Sequence, residues 1–272
     1  MRVGIALPNV IPGTTDDALV EWARRAEGGP FSSLGVLDRK AWDTADPMET
    51  LLAVVPETRR LTLATTVVVA PLRSAEQLAK EAAQIQATSD GRLVLGLSVG
   101  ARVEDYEAAG VDPRSRGRRF DEQLVALPEL LGNDAPPVLV GGTADVAFAR
   151  MARFSSGYVH GGGPPRAFAG AALKARAAWA DFARPGRPLL WGQSYFVLGD
   201  DEIVERGRAY MREYYSFTGP FVERIVEGLL TTPQGIVQQV RGYAEEGCDE
   251  LVMVPGVADP EQVDRLAEVL AG

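Results

Sequence analysis

The chain has 272 residues, of which 46% are apolar and 24% charged, and its formal net charge is −9. This composition is that of a folded, enzyme-sized protein, and the acidic balance argues against a nucleic-acid-binding role. A single cysteine and a single histidine exclude an intramolecular disulfide, a thiolate zinc cage and a His-rich metal centre. No apolar run approaches the ~20 residues of a membrane span, and the N-terminus has no signal-peptide pattern. We therefore expect a cytoplasmic protein that acts on small molecules without contacting a membrane.

Short apolar segments alternate with amphipathic segments along the chain. The first strand is predicted at Val3–Leu7, which Pro8 closes, and the first helix at Asp16–Glu27, whose apolar residues share one helical face. Seven further runs have the length and the aliphatic or β-branched content of buried strands. They are Ser33–Leu37, Leu61–Val69, Leu93–Leu97, Val138–Val140, Gly157–His160, Leu189–Leu198 and Glu250–Val254.

Helical patterns fill the intervals between these strands, including one around Trp179 and two stretches after the seventh strand. The other predicted helices are Met48–Val55, Ser74–Thr88, Arg119–Leu131, Thr143–Phe154 and Pro260–Leu270. Eight strands that alternate with helices, without a break in composition, favour an α/β fold with one closed (β/α)8 TIM barrel over residues 1–272. In such a barrel, the functional residues are expected on the loops after the C-terminal ends of the strands.

Two motifs have the form of hydrolase motifs. Gly96–Gly100 (GLSVG) matches the G-x-S-x-G nucleophile elbow, and His160–Gly163 (HGGG) matches an esterase oxyanion loop. In α/β-hydrolases the HGGG loop precedes the elbow, whereas here it follows, and the only histidine cannot be both oxyanion-loop residue and base. A Ser98–His160 dyad is one alternative. The other is that the glycines let a bulky ligand approach the strand end.

A second glycine pair lies between the fifth strand and the next helix. Gly141 and Gly142 allow close approach of a ligand, Thr143 can cap the helix or donate a hydrogen bond, and the first helical turn has free N–H groups. These features favour a phosphate site. The alternative is a tight turn with an N-cap threonine.

A longer pattern of short segments covers nearly the whole chain. Its segments are Asp46–Pro47, Thr58–Thr65 (TRRLTLAT), Pro71–Arg73, Leu78–Lys80, Ser89–Gly100 (SDGRLVLGLSVG), Arg116–Glu122, Pro137–Gly142 and Ala244–Pro255 (AEEGCDELVMVP). In this order they resemble the bacterial luciferase-like monooxygenase family, which includes FMN-dependent and deazaflavin (F420)-dependent enzymes.

The resemblance implies a luciferase-like barrel that holds a flavin in its C-terminal mouth. It implies a phosphate near Gly141, Gly142 and Thr143, with a contribution from Arg116 or Arg118. It also implies a non-proline cis peptide around Thr65–Val67 and an isoalloxazine ring against the ends of strands two to four. The ring-contacting residues would be Asp38, Thr65, Thr66, Val67, Ser98 and Gly100.

The candidate catalytic residues are Arg39 and His160. Many relatives have Asp-His after strand two, whereas this chain has Asp38–Arg39. An arginine cannot act as a base at neutral pH, but it can hold an anionic flavin or a negatively charged intermediate. His160 ends the sixth strand and is a candidate for proton transfer or substrate binding, with packing as the alternative.

Three further features have two interpretations each. Five arginines between Arg102 and Arg119 either bind the cofactor or belong to a solvated helix start. Trp42 either walls the flavin or plugs the barrel mouth. An aromatic stripe is expected to pack in the core or against a second subunit. It comprises Tyr210, Tyr214, Tyr215 and Phe217.

The resemblance favours oxidation of a small organic substrate by reduced FMN and O2. A separate flavin reductase is then an expected partner, and the family implies a homodimer. F420-dependent hydride transfer is the alternative. A non-catalytic partner subunit and a Ser98-based hydrolase are two further hypotheses, and no metal site is expected.

Overall fold

The computed structural model describes residues 1–272, and its eight strands close into a parallel barrel in sequential order. The strands are β1 Arg2–Ala6, β2 Ser33–Val36, β3 Thr62–Val69, β4 Leu93–Ser98, β5 Val138–Gly141, β6 Gly157–His160, β7 Leu189–Phe196 and β8 Glu250–Pro255. The predicted strands and the closed barrel are confirmed. Closure pairs Arg2 with Glu250 and Ile5 with Met253, so that the sheet has no free edge.

The helices surround the barrel and connect successive strands. They are α1 Asp16–Gly28, α2 Pro47–Val54, α3 Ala75–Thr88, α4 Val103–Ala108, α5 Arg116–Leu131, α6 Asp145–Phe154, α7 Pro165–Asp181, α8 Asp201–Tyr214, α9 Val222–Glu227, α10 Pro233–Glu245 and α11 Glu261–Ala271. Thr15, Asp46 and Ser74 accept backbone N–H groups and so begin α1, α2 and α3. None of the helices combines the length and the apolar character needed to cross a membrane.

Alternate residues of each strand face two separate apolar clusters. The outer cluster joins the strands to the surrounding helices and includes Leu34, Leu95 and Tyr158. The inner cluster fills the barrel and includes Trp191 and Val252. Small residues of β2 to β5 face the barrel interior, whereas β7 supplies large side chains. The interior is therefore less filled by side chains beside β2 to β5 than beside β7. These small residues are Gly35, Ala64, Gly96 and Gly141.

Candidate active site

The end of β3 is fixed by hydrogen bonds to three other strands. Thr65 Oγ1 donates to the Gly96 carbonyl at 2.7 Å, and Thr66 Oγ1 donates to the Val36 carbonyl at 3.2 Å. Gln193 Nε2 donates to the carbonyl of Thr66. The peptide bond between Thr66 and Val67 is cis, at the position implied by the resemblance. The backbone here therefore has a defined path at the barrel mouth.

Glycine is required at the end of β4 because neighbouring atoms leave no room for a side chain. A Cβ on Gly96 would lie 2.2 Å from the Thr65 carbonyl oxygen, and one on Gly100 would lie 2.6 Å from Val69 Cγ1. Gly100 also has a positive φ of 66°. Its N–H donates to Ser98 Oγ at 3.2 Å. The predicted ring-contacting residues of β3 and β4 are therefore brought together as closely packed backbone.

A cavity of about 630 Å³ opens between the end of β4 and the starts of α5 and α6. Three arginines line it, namely Arg114, Arg116 and Arg150. Ala144, the N-cap of α6, also lines the cavity and supplies no side-chain cap, so N–H groups of the first helical turn stay free. Free N–H groups and guanidinium groups at a helix start are suited to binding an anion.

The residues before α6 differ in part from expectation. The alternative of Thr143 as N-cap is wrong, because the helix begins one residue later and Thr143 is exposed. Gly142 has a φ of 136°, and a Cβ there would lie 2.8 Å from Ala147 Cβ. The Gly142 carbonyl accepts a hydrogen bond from Tyr158 Oη at 2.8 Å. Steric crowding therefore excludes a larger residue at Gly142, and the chain passes close to the cavity.

The five arginines between Arg102 and Arg119 differ in their contacts. Arg114 and Arg118 form ion pairs with acidic residues of their own segments, and Arg119 donates to backbone carbonyls. Arg102 belongs to a different group of side chains, described below. Arg116 is half-buried, lines the cavity, and has no hydrogen bond or ion pair. It is therefore the member of the cluster whose charge is free to meet a ligand.

Arg150 is a cavity residue that the sequence analysis did not identify. It donates to both carboxylate oxygens of Asp121, at 2.6 and 2.9 Å, and to the Gly117 carbonyl at 3.1 Å. These bonds join α6 to the first turns of α5. The sequence does contain a signal, since Arg150 lies in the second turn of the helix that follows Gly141–Gly142. Its partner Asp121 could not be recognised from spacing.

Asp38 anchors the loop after β2 to the end of β3. Its Oδ2 accepts the Val69 N–H at 3.0 Å and Arg73 Nη1 at 2.7 Å. Arg73 also contacts Asp46 Oδ2 at 2.7 Å and Glu81 Oε2 at 3.9 Å. Burial opposes the charge of Arg73, but Asp38 and Asp46 raise the pKa of its guanidinium above the ordinary value. We call Asp38, Asp46, Arg73 and Glu81 the Asp38–Arg73 network.

Arg39 extends into a different group of buried side chains. Its Nη1 donates to Asp105 Oδ2 at 3.1 Å, and Asp105 Oδ1 accepts the Ala41 N–H at 2.8 Å. Arg102 Nη1 lies 4.0 Å from the same carboxylate. The Nε and Nη2 atoms of Arg102 donate to the Tyr214 carbonyl at 3.2 and 2.7 Å. Asp105 was not identified as a partner of either arginine from the sequence.

Aromatic rings enclose these two guanidinium groups. Arg39 Cζ lies 4.7 Å from the centroid of the Trp42 ring, and Arg102 Cζ lies 3.8 Å from that of Tyr214. Trp42 also makes edge contacts with Tyr210 and Tyr214, at centroid distances of 6.3 and 5.6 Å. The packing role expected of the aromatic stripe is confirmed for Tyr210 and Tyr214, which are buried. The arginine–aromatic cluster comprises Arg39, Trp42, Arg102, Asp105, Tyr210 and Tyr214.

His160 lies on the outer face of β6. Its ring packs beside Tyr158 and Phe168, and its Nδ1 lies 3.5 Å from Tyr158 Oη. Burial lowers the pKa of His160, and its Nε2 has no hydrogen-bond partner. This geometry supports the packing alternative. No hydrogen bond joins Ser98 to His160, so the structure provides no hydrolase dyad.

Comparison with known sequences identifies related proteins over parts of their length. A sequence profile of luciferase-like monooxygenases matches residues 1–263. An uncharacterized protein of Mycobacterium tuberculosis is 34% identical over 117 residues, which is 35% of this chain and 40% of that protein. The 4-hydroxyprotoasukamycin monooxygenase of Streptomyces nodosus subsp. asukaensis is 32% identical over 111 residues, 40% of this chain and 30% of that enzyme.

A further relative is named as one component of a larger system. The oxygenase component of the flavin-dependent trigonelline monooxygenase of Acinetobacter baylyi is 29% identical over 123 residues, 43% of this chain and 34% of that component. The matched segments thus span at most 40% of the length of these three relatives.

Solved structures with the same fold cover nearly all of the chain. An F420-dependent secondary alcohol dehydrogenase in complex with an F420–acetone adduct has a TM-score of 0.80 at 13% identity, over 98% of this chain and 97% of that one. The oxygenating constituent of 3,6-diketocamphane monooxygenase from Pseudomonas putida, in complex with FMN, has a TM-score of 0.78 at 14% identity, over 99% and 96%. At these identities, the likeness shows the fold.

Proposed function

The chain belongs to the luciferase-like monooxygenase family, and on that premise we propose that it oxidises a small organic substrate with reduced FMN and O2. One observation carries the proposal, namely the cavity in which the unpaired Arg116 meets the uncapped start of α6. A flavin nucleotide needs such a site for its phosphate. The related monooxygenases of Streptomyces and Acinetobacter support the class of reaction.

Residues in the cavity and beside it are suited to the phosphate and ring of FMN. Arg116 lines the cavity and would supply a cation, while Gly141, Gly142 and Thr143 precede the start of α6, where Ala144 lines the cavity and free N–H groups would meet the phosphate. The packed strand ends would hold the ring, with Thr65, Thr66, Val67, Ser98 and Gly100 facing it and Asp38 fixing the loop beside it. Reduced flavin, when bound, supplies the electrons that activate O2. The chain's own residues bind and orient the reactants and exclude water.

F420-dependent hydride transfer is the second candidate. A solved structure with the same fold, an F420-dependent secondary alcohol dehydrogenase, is in complex with an F420–acetone adduct. This neighbour supports F420 as the alternative cofactor. The reaction would then need no oxygen and no flavin reductase.

A separate flavin reductase is the partner that we propose for the FMN-dependent reaction. The relative from Acinetobacter is named as an oxygenase component, which indicates that another protein completes that system. The homodimer stays a prediction, which the mass of the purified protein in solution would test.

Cofactor titration distinguishes these candidates. The purified protein is titrated anaerobically with reduced FMN and, separately, with F420, and the dissociation constants are compared. Arg116→Gln should raise the Kd of the bound cofactor by at least about tenfold, because a hydrogen bond to a charged group contributes about 1.5–3 kcal/mol. Arg118→Gln is the matched control on the same helix, since Arg118 is paired with Glu122 at the surface.

The control should leave the Kd unchanged, because Arg118 does not line the cavity. Equal Kd values for Arg116→Gln and the unaltered protein would contradict the phosphate assignment. Failure of both cofactors to bind would instead favour the non-catalytic subunit.

A further inference from the structure

Arg39 and Arg102 are two buried cations that share one carboxylate. Both residues are at most 9% exposed, and Asp105 is the only acidic residue with an oxygen within 4.0 Å of either guanidinium. The three side chains therefore carry a net positive charge away from water. Burial, followed by repulsion from Arg102, lowers the pKa of Arg39, which reflects the cost of this arrangement. An anionic ligand would balance the charge.

Most hydrogen-bond donors of Arg39 are unused. A guanidinium group has five N–H donors, and only Nη1 of Arg39 donates to a protein group. Its Nε is fully buried without an acceptor, and the buried Tyr210 Oη also has no partner. Both residues contact the ring of Trp42. Two unpaired polar groups therefore flank one half-buried aromatic ring.

Arg102 differs from Arg39 because its donors hold the protein together. Its two bonds to the Tyr214 carbonyl fix the last residue of α8 over the loop after β4. The next residue, Val103, lines the cavity proposed for the cofactor phosphate. Arg102 thus precedes a residue that lines that cavity, and Arg39 is the cation of the cluster whose donors are mostly unused.

We infer that the arginine–aromatic cluster binds the anionic group of the substrate, and that the substrate is a planar organic acid. Arg39 and Tyr210 would donate hydrogen bonds to the carboxylate, while the rings of Trp42 and Tyr214 contact the planar body. This inference rests on the proposed function and narrows its substrate from a small organic molecule to an organic anion. Reduced flavin is the other source of a planar anion, and the experiment separates the two.

Calorimetric titration of the cofactor-free protein with benzoate and with benzamide tests the inference. The two probes have similar shape and differ in charge. Benzoate should bind at least tenfold more tightly than benzamide, because Arg39 recognises the charge. Arg39→Met should remove this difference, and Tyr210→Phe should weaken benzoate binding about threefold. Arg118→Gln, a surface variant distant from the cluster in its contacts, should leave both affinities unchanged.

Equal binding of the two probes, no binding of benzoate, or an unchanged preference in Arg39→Met would overturn the inference. Circular dichroism checks that the variants fold, and if Arg39→Met does not fold, Tyr210→Phe decides. Titration of Arg39→Met with reduced FMN tests whether the anion bound by Arg39 is the flavin instead of the substrate. Weaker binding of reduced FMN with an unchanged benzoate preference would assign Arg39 to the flavin, which overturns the inference and leaves the proposed function intact. Preference for benzoate without any binding of FMN or F420 would support the inference and overturn the proposed function.

Discussion

Asp38 and Arg39 are adjacent in the chain, yet they enter two regions of opposite character. In the Asp38–Arg73 network, one cation lies within 4.0 Å of three carboxylates. In the arginine–aromatic cluster, two cations lie within 4.0 Å of one carboxylate. The first region therefore pairs its buried cation fully, whereas the second retains an unbalanced positive charge and unused donors.

This difference indicates what each region contributes. Buried charges that are paired and hydrogen-bonded define a conformation, and removing one partner leaves the other exposed to a large desolvation cost. Arg73 joins the loops after β2 and β3 in this way. Arg39 joins little, because its single bond is to an Asp105 that also accepts the Ala41 N–H. We therefore expect Arg73 to contribute to stability, whereas Arg39 keeps hydrogen-bond donors without a protein partner.

The largest effect should come from Arg73→Met. This change leaves Asp38 buried with the Val69 N–H as its only remaining partner. Loss of one partner of a buried pair costs about 3–5 kcal/mol. Unfolding by urea, followed by circular dichroism, should show a loss of this size. Arg39→Met is the matched comparison, and it should cost about 1 kcal/mol or less, since Asp105 keeps the Ala41 N–H and the nearby Arg102. Similar losses in the two variants would remove the contrast between the regions.

A smaller effect is expected for Asp105→Asn. The amide oxygen can still accept the Ala41 N–H, but Arg39 and Arg102 lose the carboxylate that offsets their repulsion. We expect a loss of about 2 kcal/mol in the free energy of unfolding, in the range for hydrogen bonds to charged groups. In the Arg39→Met background the same change should cost about half as much, because only one cation remains. Additive losses in this double-mutant cycle would show that Asp105 and Arg39 do not interact.

Local sequence patterns were sufficient to predict the barrel. Aliphatic and β-branched runs such as Leu61–Val69 identified each strand, because a strand covered on both faces is mostly apolar. Helix α4 was missed, since its sequence VEDYEA is mostly polar and its N-cap, Arg102, makes no side-chain cap bond. Contacts with the barrel mouth, rather than helix propensity, hold Asp105 and Tyr106 of this helix in the interior.

The candidate site was predictable only where one segment carries the whole signal. Gly141 and Gly142 alone are enough to predict that a ligand can approach the backbone closely. The pair of Arg39 and Asp105 joins residues 66 positions apart, which no local spacing can reveal. The direction of His160 was equally hidden, because both faces of β6 are buried and no alternation of apolar and polar residues sets its phase.

The smallest expected effect on stability is the pH dependence that His160 causes. His160 differs from Arg39 because an imidazole can lose its charge near neutral pH. Like Arg39 it is buried with an unpaired nitrogen, but burial lowers its pKa from an ordinary value near pH 6.5, so that the neutral form is favoured in the folded state. Below about pH 6.5 the unfolded chain therefore takes up a proton more readily than the folded chain, and stability falls as the pH decreases.

The loss in the free energy of unfolding between pH 7 and pH 5.5 should be at most about 1 kcal/mol, the value for a histidine that stays neutral in the folded state. The chain has one histidine, so no other imidazole contributes to this change. His160→Phe should flatten the profile over this range, because the phenyl ring packs against Tyr158 and Phe168 without taking up a proton. Arg39→Met should leave the slope unaltered, since a guanidinium group stays protonated throughout. An equally steep profile in His160→Phe would assign the slope to a group other than His160.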